Sequence, residues 1–275
     1  MTPTTTTLKP GTEYLFTNPL RSMMAILPVA FWDVIVREIN RYAAQRIKTQ
    51  VEKKVTERPR LICGYRWQDA SSQEIMTYIG LLIYGMLYPQ TGRRMRDAWD
   101  SPYISAWTKF MSKGRYLQIT SVLHFNDNDD TCGKSRDSLH KIRPLLFIIK
   151  KTLGTYANHG SELSFDEATM ANKSSYGHFL ICFNPMKPTG KFHYKIYMLC
   201  CAFTKLTLWI KVHTKDNSDL DGSETHNEYL NKQDNQTLQL CSPLLNSGCT
   251  VNMDNYYMLM MVAMKLRERE VFCKL

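Results

Sequence analysis

The period of the apolar residues changes near position 160, and that change most constrains what this chain can fold into. Upstream, apolar side chains recur every three to four positions, the spacing of a helix face; downstream they alternate, the spacing of a strand. Such a chain has to build a helix-on-helix core first and then a sheet that needs helices to cover it.

In residues 28–56, Phe31, Val34, Ile35, Ile39, Tyr42 and Ile47 fall near one helical stripe. Between Arg37 and Arg60 there are eight Lys or Arg against three Glu, a basic face that reads first as the solvated side of a surface helix. A second helical block opens with SSQEIMTYIGLLIYGML, where Ser71 or Ser72 can cap the first turn and Glu74 sits where a carboxylate is favoured. Trp99, Trp107, Phe110, Met111, Tyr116, Ile119 and Leu123 predict two short packed helices, ended by the turn-forming HFNDNDD. Residues 139–156 carry Ile142, Leu145, Leu146, Ile149 and Leu153 at helical spacing, with Pro144 in the first turns.

From Ser161 the reading is of strands. ELSFDEA alternates, FHYKIYMLCCAF and LTLWIKVH are β-rich runs joined at Thr204 and Lys205, and CTVNMDN ends another strand before the helical YYMLMMVAMKLRERE. That order predicts an α/β domain with an initial antiparallel meander, and α+β overall once the helical half is counted. Residues 215–239 are polar and Asn-rich, a loop with a short helix or a surface insertion. The Thr-rich residues 1–12 have almost no apolar content and are expected to be disordered. The expected organisation is an irregular tail over 1–27, a mainly helical region over 28–157 and a sheet domain over 158–275.

Charge and cysteines narrow the function classes. Against 25 Asp and Glu there are 35 Lys and Arg, and a net charge of +10 favours polyanionic partners such as nucleic acid without specifying any. The first residues show no basic segment followed by an apolar run, so no secretory signal is expected. The longest apolar stretch, residues 79–88, contains two glycines and is far short of the ~20 residues of a membrane-spanning helix, so no membrane partner is expected. None of the eight cysteines forms a C-x-x-C pair, and they read as reduced thiols; scattered Cys241, Cys249 and His213 make a poor zinc set. Asn217, Asp219, Asp221, Gly222 and Glu228 have the spacing of an EF-hand loop, but Asn217 at the first position and a preceding strand-like run argue against calcium.

Two acids stand out. Asp166 lies within a predicted strand, and Asp254 ends another just before a predicted helix. Carboxylates on neighbouring strands can share hard divalent ions and support phosphodiester chemistry. Spacing alone favours ordinary strand-end or helix-capping acids.

The run SFDEATM followed by FNPMKPTGKFHYKIYMLCCAFTK resembles the signature of piggyBac-type transposases. MTYIGLLIYGMLYPQTGRRMRDAWDS, KGRYLQITSVLHFNDNDD, LHKIRPLLFIIKK and VNMDNYYM follow the family's order, so the likeness extends over residues 74–269, about 70% of the chain. It implies an RNase H-like catalytic domain behind a helical dimerisation and DNA-binding region, cutting and joining double-stranded DNA at transposon ends with Mg²⁺ or Mn²⁺, in the nucleus. Asp166 would be the first catalytic, metal-binding aspartate and Asp254 the second, with Lys187, Lys191 and Lys195 as phosphate contacts. The family's third aspartate and C-terminal cysteine-rich zinc domain are not found before Leu275. Glu268 and Glu270, interleaved with Arg267 and Arg269, read as a salt-bridged helix face. ATMANKSSYGHFL also lacks the family's Lys-Gly-Arg element.

The resemblance therefore implies a truncated, transposable element-derived protein with residual DNA binding and weak or no catalysis, its RNase H-like domain incomplete and one sheet edge uncovered. The alternatives are a nuclease completed by another chain, and a non-enzymatic dimerising or decoy protein. Expected protein partners are a second copy or a full-length transposase.

Overall fold

The computed structural model describes residues 5–52, 61–88, 95–100, 106–130, 137–172, 177, 180–187, 190–215 and 230–275. The EF-hand-like segment 217–228 lies outside them. In chain order the elements are β1 (Thr7–Leu8), α1 (Pro19–Ile26), α2 (Val29–Glu52), β2 (Leu61–Ile62), β3 (Tyr65–Arg66), α3 (Ser72–Leu87), α4 (Ala106–Phe110), α5 (Lys113–Val122) and α6 (Arg143–Thr152). Then follow β4 (Ala157–Asn158), β5 (Glu162–Ala171), β6 (Cys182–Phe183), β7 (Phe192–Cys201), β8 (Thr207–Val212), α7 (Lys232–Cys241), β9 (Thr250–Met253), α8 (Met260–Arg267) and β10 (Phe272–Lys274). They form two compact units, a helical one over Leu27–Thr131 and His140–Ile148, and a sheet unit over Met1–Ile26, Cys132–Leu139 and Ile149–Leu275. No single helix is long and apolar enough to cross a membrane.

In the helical unit, the stripe of α2 is centred on Trp32, Ile35, Ile39 and Ala43, and it also buries Glu38. Glu38 is tolerated because Arg37 and Arg41 each place a nitrogen 3.0 Å from its carboxylate, while Arg41 also reaches Asp127 at 2.9 Å. Arg46 donates to the Ser121 carbonyl at 3.0 Å, so much of the basic face of α2 is committed within the protein. Ile75, Tyr78 and Leu81 of α3 and Tyr116, Ile119 and Val122 of α5 are buried. Trp99, Trp107 and Tyr116 pack ring on ring, with centroids 4.7–6.2 Å apart. Phe110, expected in this core, is exposed.

Ser71 caps α3 by accepting from the Glu74 N–H at 3.2 Å. The Glu74 carboxylate takes both Nε and Nη2 of Arg115 at 2.7 Å, and the guanidinium also lies over Trp67, 4.6 Å from its ring centroid. Glu74→Ala should therefore destabilise this unit by about 2 kcal/mol, since it removes a bidentate pair and leaves a half-buried guanidinium. The unit holds four of the five tryptophans, so the loss is read as a lower urea midpoint in tryptophan fluorescence.

The main sheet of this unit has six strands, in the order β10-β9-β5-β7-β6 with β8 also on β7. β5, β7 and β8 form the expected antiparallel meander, whereas β9 joins β5 in parallel and β10 joins β9 in parallel. β9, α8 and β10 are thus a strand–helix–strand crossover. β10, a strand that lies just past the predicted helical run 256–270, covers the outer edge of β9. The helix itself is shorter than expected: α8 starts at Met260, and Glu270 leaves it at φ 55°.

The tail departs from expectation, and residues 215–239 follow the first of the two alternatives, a loop with a short helix. Thr7 and Leu8 pair with Asn158 and Ala157, so the described part of the tail expected to be disordered, residues 5–12, is tied to the fold, and Thr6 Oγ1 also accepts from the Gly160 N–H at 3.2 Å. The polar stretch near 231–241 forms α7, capped by Asn231, which accepts from the Asp234 N–H at 2.9 Å. Leu238, Leu240 and Cys241 enter the core with Leu163, Phe165, Val251, Val262 and Leu266, so α7 and α8 cover one face of the sheet.

Candidate active site

Alternation along β5 sorts its side chains between the faces of the sheet. Leu163 and Phe165 are buried against the helices, so Ser164, Asp166 and Ala168 share the opposite face, and Asp166 is exposed there. β9 follows the same rule, with Val251 and Met253 buried and Asn252 on the other side, where it donates to Glu162 Oε2 at 3.3 Å. The parallel register aligns Phe165 with Met253. The ladder ends there: Asp166 is the next residue of β5 and Asp254 the first residue after β9. The two aspartates chosen from the sequence thus each follow the last paired residue of neighbouring parallel strands.

Neither aspartate is neutralised. Asp166 Oδ1 accepts from the Glu167 N–H at 2.7 Å and Asp254 Oδ1 from the Tyr256 N–H at 3.4 Å, and among the described residues neither makes an ion pair. Two exposed carboxylates without an ion-pair partner are hard-oxygen donors of the kind that suits Mg²⁺ or Mn²⁺. A cleft of about 260 Å³ beside Asp166 is walled by Ser164, Met198, Cys200 and Lys205. Among the described residues no group of three or more His, Cys, Asp or Glu could hold a metal ion, so the pair has no third protein acid there. Of the later acids, Glu268 caps the C-terminus of α8 and Glu270 lies past it. The seven described cysteines are free thiols.

Glu167, the next residue, faces the helices and has the opposite character. Lys195 Nζ lies 2.6 Å from Oε2, Lys187 Nζ lies 3.2 Å from Oε1, and the Tyr257 hydroxyl donates to Oε2. Burial alone would raise this carboxyl, but the hydrogen bonds from Lys195 and Tyr257, the Lys195 charge and Lys187 outweigh it and hold the group at about 2. Burial, and then the bond to Glu167, push the Tyr257 hydroxyl up, so it remains a donor. Lys195 also lies 5.1–5.4 Å from the ring centroids of Tyr197, Tyr256 and Tyr257. Of the three lysines expected to contact phosphate, Lys187 and Lys195 are therefore paired with Glu167, and Lys191 is exposed at the approach to β7. The sequence reading missed Glu167 and Tyr257; the signal was their place next to the aspartates, in FDEA and DNYY.

The fold is a mixed sheet with helices covering one face. The coordinates superpose on a cryo-EM structure of a piggyBac transposase synaptic complex with hairpin DNA at a TM-score of 0.73 and 18% sequence identity, over 93% of this chain and 50% of that one. The chain spans about half the length of the structure it matches. A family model described as Transposase IS4 matches residues 18–274, and this chain belongs to that family. No curated protein matches it. The sequence likeness to piggyBac-type transposases and these two findings agree.

Proposed function

We propose that this chain carries two of the metal-binding acids of a DNA-cutting and joining centre, Asp166 and Asp254, and that its substrate is double-stranded DNA at transposon ends. The observation that supports this reading is the parallel register of β5 and β9, whose last pair, Phe165 and Met253, immediately precedes the two aspartates. Divalent ions bound there would supply Lewis-acid stabilisation of phosphate charge and activation of a water or 3′ hydroxyl. The residues' own part is to fix the spacing and direction of the donor oxygens. The exposed head of Lys191 and the overall charge of +10 support attraction of the phosphate backbone. Since no third acid joins them in a metal-holding group among the described residues, the favoured reading is DNA binding with weak or no strand transfer; the alternative is a nuclease centre completed by another chain. A nuclear place of action, implied by the likeness to piggyBac-type transposases, is part of this proposal.

Calorimetry with Mn²⁺ tests the reading. Wild-type protein should bind the ion, and Asp166→Asn or Asp254→Asn should weaken binding at least about ten-fold, because each removes one of two anionic donors. Stability without metal should change by less than about 0.5 kcal/mol, since an exposed like-charge pair is relieved and no packing is lost. A single weak site indifferent to Asp166→Asn would defeat the proposal.

A further inference from the structure

We infer that the hydrogen bond from Tyr257 to Glu167 is a positioning clamp that holds Asp254 opposite Asp166, a role that rests on the metal-site reading above. The ladder between β5 and β9 ends at Phe165 and Met253, one residue short of both aspartates. Beyond it the two strands differ. β5 continues to Ala171 and stays paired with β7, so Asp166 is held from its other side, opposite Met198. β9 stops, and Asp254 enters a turn in which its carbonyl accepts from the N–H groups of Tyr257 at 2.8 Å and Met258 at 3.1 Å. These bonds shape the turn but do not tie it to β5.

The tie is the Tyr257 side chain. It is 2% exposed, its ring meets Phe165 edge to face at 5.0 Å, and its hydroxyl donates to the carboxylate of the residue directly after Asp166. Lys195 and Lys187 fix that carboxylate in turn, at 2.6 and 3.2 Å. The clamp works from the helix-covered face, while the aspartates occupy the other, so it sets their alignment without competing for a metal or a phosphate. Donor oxygens that share an ion have to be held within a fraction of an ångström, and groups that orient metal ligands commonly account for ten-fold or more in affinity.

Mn²⁺ binding to the full 275-residue chain, by calorimetry and by the electron paramagnetic resonance line shape of the bound ion, tests this in wild type, Tyr257→Phe, Glu167→Gln and Asp166→Asn. Tyr257→Phe keeps the ring and its contact with Phe165, and should weaken Mn²⁺ about ten-fold and broaden the bound-ion spectrum. Glu167→Gln retains an acceptor for the tyrosine hydroxyl and should fall between Tyr257→Phe and wild type. A merely structural hydroxyl would lower the unfolding midpoint and leave both metal readouts unchanged. Wild-type affinity and line shape in Tyr257→Phe, with binding abolished by Asp166→Asn, would overturn the clamp and leave the metal site standing. Absence of binding in wild type would overturn both.

Discussion

Phe165→Ala is expected to lower the stability of the sheet unit by about 3–5 kcal/mol, and to weaken Mn²⁺ binding although no carboxylate is touched. Phe165 is 1% exposed at the centre of the core, aligned with Met253 on one neighbouring strand and Leu199 on the other. Its ring stacks on Tyr197 with centroids 6.1 Å apart and meets Tyr257 at 5.0 Å. Truncation to alanine removes those contacts and leaves a cavity directly beneath the backbone that presents Asp166. Trp209 is the one tryptophan in the sheet unit, so urea unfolding followed through it in a protein with the helical-unit tryptophans replaced by phenylalanine isolates the effect. A loss below about 1 kcal/mol would mean that the core repacks around the gap, and the rigid footing assumed for Asp166 would be wrong.

Lys195→Met should cost about 2 kcal/mol at neutral pH, with a dependence on pH whose sign is fixed. Methionine keeps an apolar stem among Tyr197, Tyr256 and Tyr257 but removes the cation nearest Glu167. Breaking a fully buried pair costs about 3–5 kcal/mol; the figure is smaller here because Glu167 retains Lys187 and part of its side chain reaches solvent. In the wild type the Glu167 carboxyl is held at about 2 against an ordinary value of 4.5. A group depressed on folding contributes stability that is fully present above its unfolded value and is lost as the pH falls towards its folded value. The wild type should thus lose this contribution between about pH 4.5 and pH 2, and the variant has less to lose. The difference in urea midpoint between the two proteins should shrink by more than half from pH 6 to pH 3. A difference that stays constant over that range would show that Lys195 acts through packing and not through the ionised pair.

The two replacements bear on different layers of one device. Phe165 supports the strand that carries Asp166, and Lys195 supports the carboxylate that Tyr257 grips. Both lie on the helix-covered face, and both should alter metal binding on the opposite face through the backbone alone.

Much of this architecture was legible in the residues. The alternation in ELSFDEA and the β-branched and aromatic runs of FHYKIYMLCC and LTLWIKV mark β5, β7 and β8 closely, and Ser71 caps α3 as its type and position predict. What was not legible follows a common physical cause. Asp234, Asn235, Gln236 and Thr237 are buried at 1–4% exposure in α7, although their polarity suggests a surface loop. Burial there depends on distant strands, and part of the polarity is satisfied locally, as when Asn235 donates to the Leu230 and Asn231 carbonyls at 3.0 and 3.2 Å. β1 and β10 are two and three residues long, too short for any period to register.

The sequence by itself determined the local elements and the family, because helix and strand periods rest on residues two to four positions apart and the motifs are contiguous. It also singled out Asp166 and Asp254. That the strands carrying these acids pair in parallel, that Glu167 meets Lys195 and Tyr257, and that Lys191 alone of the three lysines is exposed, were decided by the tertiary structure. Strand register is a long-range choice: the parallel pairing of β5 with β9 is selected by how α7 and α8 fill one face of the sheet, and a slip of one residue would turn every side chain to the other face.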